Sequence, residues 1–242
     1  MIAQLLPSFP ARVRPAVATP AAAAVLLACL LVAGCSGGGD AALDAEIAKQ
    51  LEALGAIVVK GADQKFVASV NLSPIAAAEP LDKALRLLPK LARLQALDLS
   101  RTPVRDDQLT LVNQSIGLRS LALAQTGITD AGLKSLGALA DLNALNLAST
   151  QVTDAGLPSL AKMAQLKILD LSGTGVRTAL SPLASLTQLD WLVLRNLQLS
   201  DEALPQLAAC RQLKRLSLQQ TAYAAASLQA LRSATGQLSV DE

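Results

Sequence analysis

The chain contains no histidine among its 242 residues. That removes the side chain that most often serves as general base, completes nucleophilic triads and ligates zinc. Carboxylates are the remaining acid–base candidates, and Asp98 and Asp170 occupy equivalent places in a repeating pattern. Their separation in that pattern amounts to three strands, about 14 Å at ordinary strand spacing, too wide for a paired acid and base. Each therefore reads as a solvated charge. Gly173-Thr174-Gly175 has the composition of a phosphate-cradling loop, but no lysine follows it. Asp106-Asp107 lacks the companion carboxylates a calcium ion needs and reads as a helix cap. Cys210 follows Leu204 and Leu207 at helical spacing, which reads as core rather than as a reactive thiol. Arg211, Lys214 and Arg215 form a small basic cluster of the kind that faces solvent. No cofactor or metal is expected, and the chain is not expected to be an enzyme; an envelope hydrolase is the rival class.

The elements that would carry these residues begin after an address segment. Arg12 and Arg14 precede an apolar run from Ala21 to Ala33, the order of a charged n-region and an h-region. The run ends in Val32-Ala33-Gly34-Cys35, which resembles the lipobox of bacterial lipoproteins. The resemblance implies removal of residues 1–34 and acylation of Cys35. Two or more acyl chains give stable membrane anchoring where one does not. Residues 35–43, with Ser36-Gly37-Gly38-Gly39, then read as a flexible tether. Ser36 after the cysteine resembles the outer-membrane sorting pattern. The alternative is an ordinary signal peptide or an uncleaved anchor, with Cys35 a bystander. The long n-region also leaves room for a later start codon.

Lys plus Arg is 21 and Asp plus Glu is 19. Removing Arg12 and Arg14 leaves 19 charges of each sign, so no net pull toward nucleic acid or anionic lipid follows. Hydrophobic residues are 52% and aromatic residues 2%, which requires an aliphatic core. With Cys29 discarded and Cys35 lipidated, Cys210 stands alone and no disulfide framework is possible.

The core is written as a repeat. Leu97-Asp98-Leu99 recurs as Leu121-Ala122-Leu123, Leu145-Asn146-Leu147 and Leu169-Asp170-Leu171, each 24 residues on. It continues as Leu192-Val193-Leu194 and Leu216-Ser217-Leu218, with an earlier copy at Val70-Asn71-Leu72 and a weak last one at Leu238-Ser239-Val240. A further leucine stands three residues ahead of each full copy: Leu94, Leu118, Leu142, Leu166, Leu189 and Leu213. Thr102, Thr126, Thr150, Thr174 and Thr221 recur after the copies, and Leu197 breaks that column. Asp130-Ala131-Gly132-Leu133 and Asp154-Ala155-Gly156-Leu157 match residue for residue.

Leu-x-Leu has period two and reads as a short strand with both leucines inward. Leu133, Leu136 and Leu139 have helical spacing, and Asp130, Asp154 and Asp201 stand where helices would start and could cap them. Each repeat thus reads as strand, turn and helix. The threonine hydroxyls can bond backbone groups at the turn, and the turn at Leu197 is expected to differ. Internal periods of this length signify a solenoid.

The pattern resembles the leucine-rich repeat family, with Thr where that family carries Asn or Cys, and the Thr-Asp-x-Gly-Leu starts resemble its ribonuclease-inhibitor-like subclass. The resemblance spans roughly residues 67–240. It implies an α/β solenoid with a curved parallel sheet on the concave face and helices on the convex face, over residues 67–242. Leu43, Ile47, Leu51 and Leu54 at helical spacing, Gly55 as stop and Ala56-Ile57-Val58-Val59 against Phe66-Val67-Ala68-Ser69-Val70 read as a helix-plus-hairpin cap over 44–66. At the far end a short strand closes the sheet, and Asp241-Glu242 discourages further edge pairing.

Function then falls to the concave face. Three columns alternate with the core leucines there, and small neutral residues fill their middle, leaving room for a partner's backbone. One end differs: Ile168, Trp191, Val193, Arg195 and Arg215 cluster, the composition of an interface anchor. The competing reading packs Trp191 on its own neighbours under an arginine. The expected protein is a monomeric, lipid-anchored, extracytoplasmic module that binds a protein partner and no nucleic acid. A host-facing secreted interaction protein is a further alternative.

Overall fold

The structure, a computed structural model, describes residues 41–115, 117–235 and 238–242. The lipobox cysteine Cys35 and the residues before it lie outside them. Among the described residues nine strands form one sheet in chain order: β1 (Ile57–Lys60), β2 (Val67–Asn71), β3 (Ala96–Asp98), β4 (Ser120–Ala122), β5 (Ala144–Asn146), β6 (Ile168–Asp170), β7 (Trp191–Val193), β8 (Arg215–Ser217) and β9 (Ser239–Asp241). Only β1 runs antiparallel, against β2; every later pair is parallel. Val70, Leu97, Leu121, Leu145, Leu169, Leu192, Leu216 and Val240 align in one register. The expected solenoid is the observed fold, because one register buries every Leu-x-Leu pair in a single continuous core.

Three residues per strand make a narrow ribbon, so the ladder is carried on into the turns. The amide after each strand donates to the next repeat, as in Leu99 to Ala122, Leu123 to Asn146 and Leu147 to Asp170, all at 2.8 Å. Two residues later the chain turns left-handed at Arg101, Gln125, Ser149, Gly173, Asn196 and Gln220, with φ of 53–63°. That conformation is costly for side chains with a Cβ, and Gly173 alone avoids the cost. It aims the next rung of amides: Gln125 N donates to Ala148 O and Ser149 N to Ser172 O, both at 2.7 Å. The threonine that follows returns its hydroxyl to the carbonyl three residues back, at 2.6–2.7 Å for Thr102, Thr126, Thr150 and Thr174. At Leu197 there is no hydroxyl, and Thr221 of the next repeat bonds Leu194 O instead while accepting from Leu197 N. The fifth turn is different, as its sequence implies.

The aspartates behave differently from the helix caps expected of them. Thr129 caps its own helix by accepting from Ala131 N at 3.2 Å. Asp130 instead reaches into the following repeat, accepting from Thr153 N at 2.8 Å and Thr153 Oγ1 at 2.6 Å. Asp106 does the same to Thr129, at 2.9 and 2.6 Å, and Asp154 takes Arg177 N and the amide and hydroxyl of Thr178. The glycine of the Asp-Ala-Gly-Leu motif makes room for this ladder. A Cβ on Gly132 would lie 2.4 Å from Asp106 Oδ1, and one on Gly156 2.3 Å from Asp130 Oδ1. Asp201 offers its carbonyl, to Ser227 Oγ at 2.5 Å.

The convex side carries less helix than expected. Full helices stand toward the ends, at Ala41–Ala53, Ala78–Leu87 and Ala225–Thr235. Interior repeats have four to six helical residues, as in Leu109–Val112 and Asp130–Ser135, or 3₁₀ turns at Leu157–Lys162 and Ser181–Ser185. A 3₁₀ turn rises about 2.0 Å per residue, so a short return segment spans the repeat with fewer residues. Pro158 and Pro182 sit in the first turns of these two segments, where their fixed φ is tolerated.

A helix and a hairpin precede the parallel strands. The helix Ala41–Ala53 takes in three residues assigned to the tether, then Gly55 turns the chain at φ 96° into the β1–β2 hairpin. Asp44, only 1% exposed, ties the helix to the sheet by accepting from Val67 N at 2.9 Å. No helix of the described residues is long and apolar enough to cross a membrane.

Candidate functional site

The concave face is built from the residues that alternate with the core leucines, and its floor is more closed than expected. Ala96, Ser120, Ala122, Ala144 and Asn146 are all buried. Three-residue strands set on a concave arc draw neighbouring side chains together, so small residues sink between them rather than lining an open floor. Asn71, Asp98, Asn146 and Asp170 each turn back on the chain, accepting the amide two residues on at 2.8–2.9 Å. This is an Asx turn, which bends the chain out of the strand. Asp98 and Asp170 are therefore turn residues. Asp170, expected as a solvated charge, is 4% exposed and also accepts from Ser172 Oγ at 2.6 Å. Burial pushes its carboxyl above the ordinary carboxylate range, against the Ser172 bonds and the Arg195 charge.

Of the five residues expected to cluster, the register brings three into one row. Ile168, Trp191 and Arg215 are direct neighbours on β6, β7 and β8. Ile168 and Trp191 are half-buried and Arg215 is exposed. The Arg215 guanidinium lies over the Trp191 ring, 4.4 Å from its centroid. Val193 does not join the exposed patch. It is 0% exposed, because it stands on the middle column between Asp170 and Ser217. Arg195 has a side chain 18% exposed, with a terminal nitrogen 3.7 Å from Asp241 Oδ2. Its Nε is buried with no hydrogen-bond partner.

Asp190 is a residue the sequence reading missed. It accepts from Arg215 at 2.8 Å and pairs with Lys214 at 3.1 Å, so it neutralises part of the basic cluster and steadies the cation over the indole. Burial alone would raise its carboxyl, but the two bonded cations outweigh that and hold it below the ordinary range. The only clue in the sequence was its place just before Trp191, one repeat from Lys214-Arg215.

The remaining chemical candidates are structural. Gly173 N and Gly175 N donate to Arg195 O and Val152 O, both at 2.8 Å, and so serve the ladder. Cys210 is buried among apolar side chains, and desolvation pushes its thiol up to about 11. Among the described residues no group of three or more Cys, Asp or Glu is placed to hold a metal ion.

Two segments, 115–137 and 139–161, match the model of the Leucine Rich repeat family. Among solved structures, an internalin of Listeria monocytogenes aligns at 19% identity with a TM-score of 0.57, over 86% of this chain and 100% of that one. A second internalin of that organism aligns at 20% identity and 0.51, over 72% of this chain and 60% of its own. A leucine-rich-repeat protein of Leptospira interrogans gives 16% and 0.53, over 69% and 52%. The chain thus spans little more than half the length of the last two. At these identities the likeness is one of fold. No curated protein matches the sequence.

Proposed function

We propose that this leucine-rich-repeat solenoid is a non-catalytic scaffold that binds a protein partner on its concave face, held to the outer membrane from outside the cytoplasm by lipid on Cys35. The observation that carries the binding reading is the contrast along the sheet. Small, sunken side chains floor β3 to β5, whereas at β6 to β8 the half-buried Ile168 and Trp191 and the exposed Arg215 rise in one row. Aromatic and arginine side chains of this kind anchor interfaces, the indole because it buries a large area at small entropic cost and the guanidinium because its planar fork offers several donors. The stacked Arg215 keeps the indole oriented before a partner arrives. Anchoring and location are supported by the lipobox-like Val32-Ala33-Gly34-Cys35.

The test replaces Trp191 with Ala and measures capture of partner protein from envelope extracts beside thermal unfolding. Capture is expected to fall at least tenfold while stability falls by no more than about 1 kcal/mol, the scale of one exposed cation–π contact. A loss above about 3 kcal/mol, the scale of a truncated core aromatic, would assign Trp191 to packing alone.

A further inference from the structure

β9 is the last strand of the sheet, and its seat reads two carboxylates. Its main chain is held by Ser239 N to Lys214 O at 2.9 Å and by Leu218 N to Asp241 O at 2.7 Å. Val240 continues the leucine column opposite Leu216 and is only partly buried. Asp241 accepts from Gln219 Nε2 at 2.9 Å and faces the Arg195 guanidinium at 3.7 Å. Glu242 is gripped at both oxygens, by Arg232 at 2.5 Å and by the Tyr223 hydroxyl at 2.9 Å. Four donor side chains, from the segments that follow β7 and β8 and from the helix Ala225–Thr235, thus converge on a Val-Asp-Glu sequence. Beside the grip lies a cleft of about 730 Å³ whose lining includes Ala222, Ala225, Leu228 and Arg232.

The resident segment is lightly held. Ser239 and Asp241 are exposed, and the side chains of Asp241, Arg232 and Glu242 are 48–59% exposed. Ion pairs at that exposure contribute little to stability. The receiving side is the better formed half: the Arg195 side chain is mostly buried beside Asp241, so a carboxylate seated there meets a cation already held in place. A seat with fixed cations and a loosely held occupant suits strand addition, in which main-chain bonds give affinity and side-chain sites give specificity.

We propose that the β8 edge is an acceptor for an extended acidic segment of the protein partner, with an apolar residue followed by two carboxylates, and that Ser239–Glu242 is its built-in competitor. The proposal rests on the protein-binding reading above and names the partner's chemistry. Arg195 joins the two regions, since it lies two residues past the strand that carries Trp191 and sets its guanidinium 3.7 Å from Asp241.

The test uses the full chain and a dye-labelled peptide, Leu-Ser-Val-Asp-Glu. Wild type is compared with the double variant Asp241→Asn/Glu242→Gln, whose own segment lacks both carboxylates. The double variant is expected to bind the peptide at least tenfold more tightly than wild type, by fluorescence anisotropy. Adding Arg232→Gln is expected to reverse that gain. Trp191, the single tryptophan, has Arg215 and then Ser239 as its register neighbours, so peptide exchange should also shift its emission. Absence of saturable binding to the double variant, or equal affinity for the peptide Leu-Ser-Val-Asn-Gln, overturns the proposal. Partner capture with Trp191→Ala does not involve the peptide. A failed titration beside Trp191-dependent capture therefore refutes the acidic-segment proposal alone, whereas capture indifferent to Trp191 refutes the docking reading.

Discussion

At the scale of single residues, the motif Asp-Ala-Gly-Leu is a contact between repeats. Sequence alone places Asp130 both at the start of its own helix and one repeat before Thr153, and the first reading is the local one. Only the stacking shows that the carboxylate goes to the next repeat. Gly156→Ala is therefore expected to cost about 1–3 kcal/mol, as overpacking does, since its Cβ would meet Asp130 Oδ1 at 2.3 Å. In an Asp130→Ala background the same change should cost much less, and a double-mutant cycle by chemical denaturation reads the difference. Two further aspartates should respond oppositely to pH. Asp154 is held below its ordinary range, because the amides of Arg177, Thr178 and Ala179 and the Thr178 hydroxyl together outweigh burial. Its stabilisation is present above the unfolded pKa and is lost as pH falls through the folded one. Asp170 is raised by burial, so its ionisation costs stability that returns as pH falls through its folded pKa. At pH 7 Asp154→Asn should lower the unfolding midpoint and Asp170→Asn should raise it. Both differences should shrink toward pH 3, and midpoints taken across that range check the signs.

At the scale of elements, the strands were legible and the returns between them were not. Leu-x-Leu repeated at a fixed interval leaves one register that buries both leucines, so each expected strand lies within a residue or two of its observed place. The returns carry the same leucines whether the chain coils as α or 3₁₀, and periodicity cannot separate the two over four to six residues. Depth on the concave face was equally hidden. Alternation tells which face Val193 and Asp170 occupy but not that curvature closes their neighbours over them. The threonine column was readable in kind, and its exception at Leu197 gives a test. Thr221 serves two repeats, donating to Leu194 O and accepting from Leu197 N. Thr126 serves its own repeat alone, through Leu123 O. Thr221→Val is expected to cost about 1–3 kcal/mol, the penalty for stranding buried polar groups, and more than Thr126→Val. Hydrogen exchange should show the Leu197 amide losing protection first.

At the scale of the molecule, a solenoid transmits little between its ends, because each repeat contacts only its neighbours. In the proposed reading, anchoring at one end and recognition at the other then operate independently. The proposed anchor is covalent lipid on Cys35. After removal of residues 1–34 the two signs of charge balance at 19 each, so electrostatic attraction to anionic headgroups supplies no net term. Among the described residues the large apolar side chains left exposed are Leu43, Ile57 and Val59. No described helix offers a span. Cys35→Ala should accordingly move the protein from the membrane pellet to the soluble fraction at low and high salt alike, with an unchanged melting curve. Retention in the pellet only at low salt would point to charge, and retention at any salt to an uncleaved apolar segment; either would remove lipid from Cys35 as the anchor.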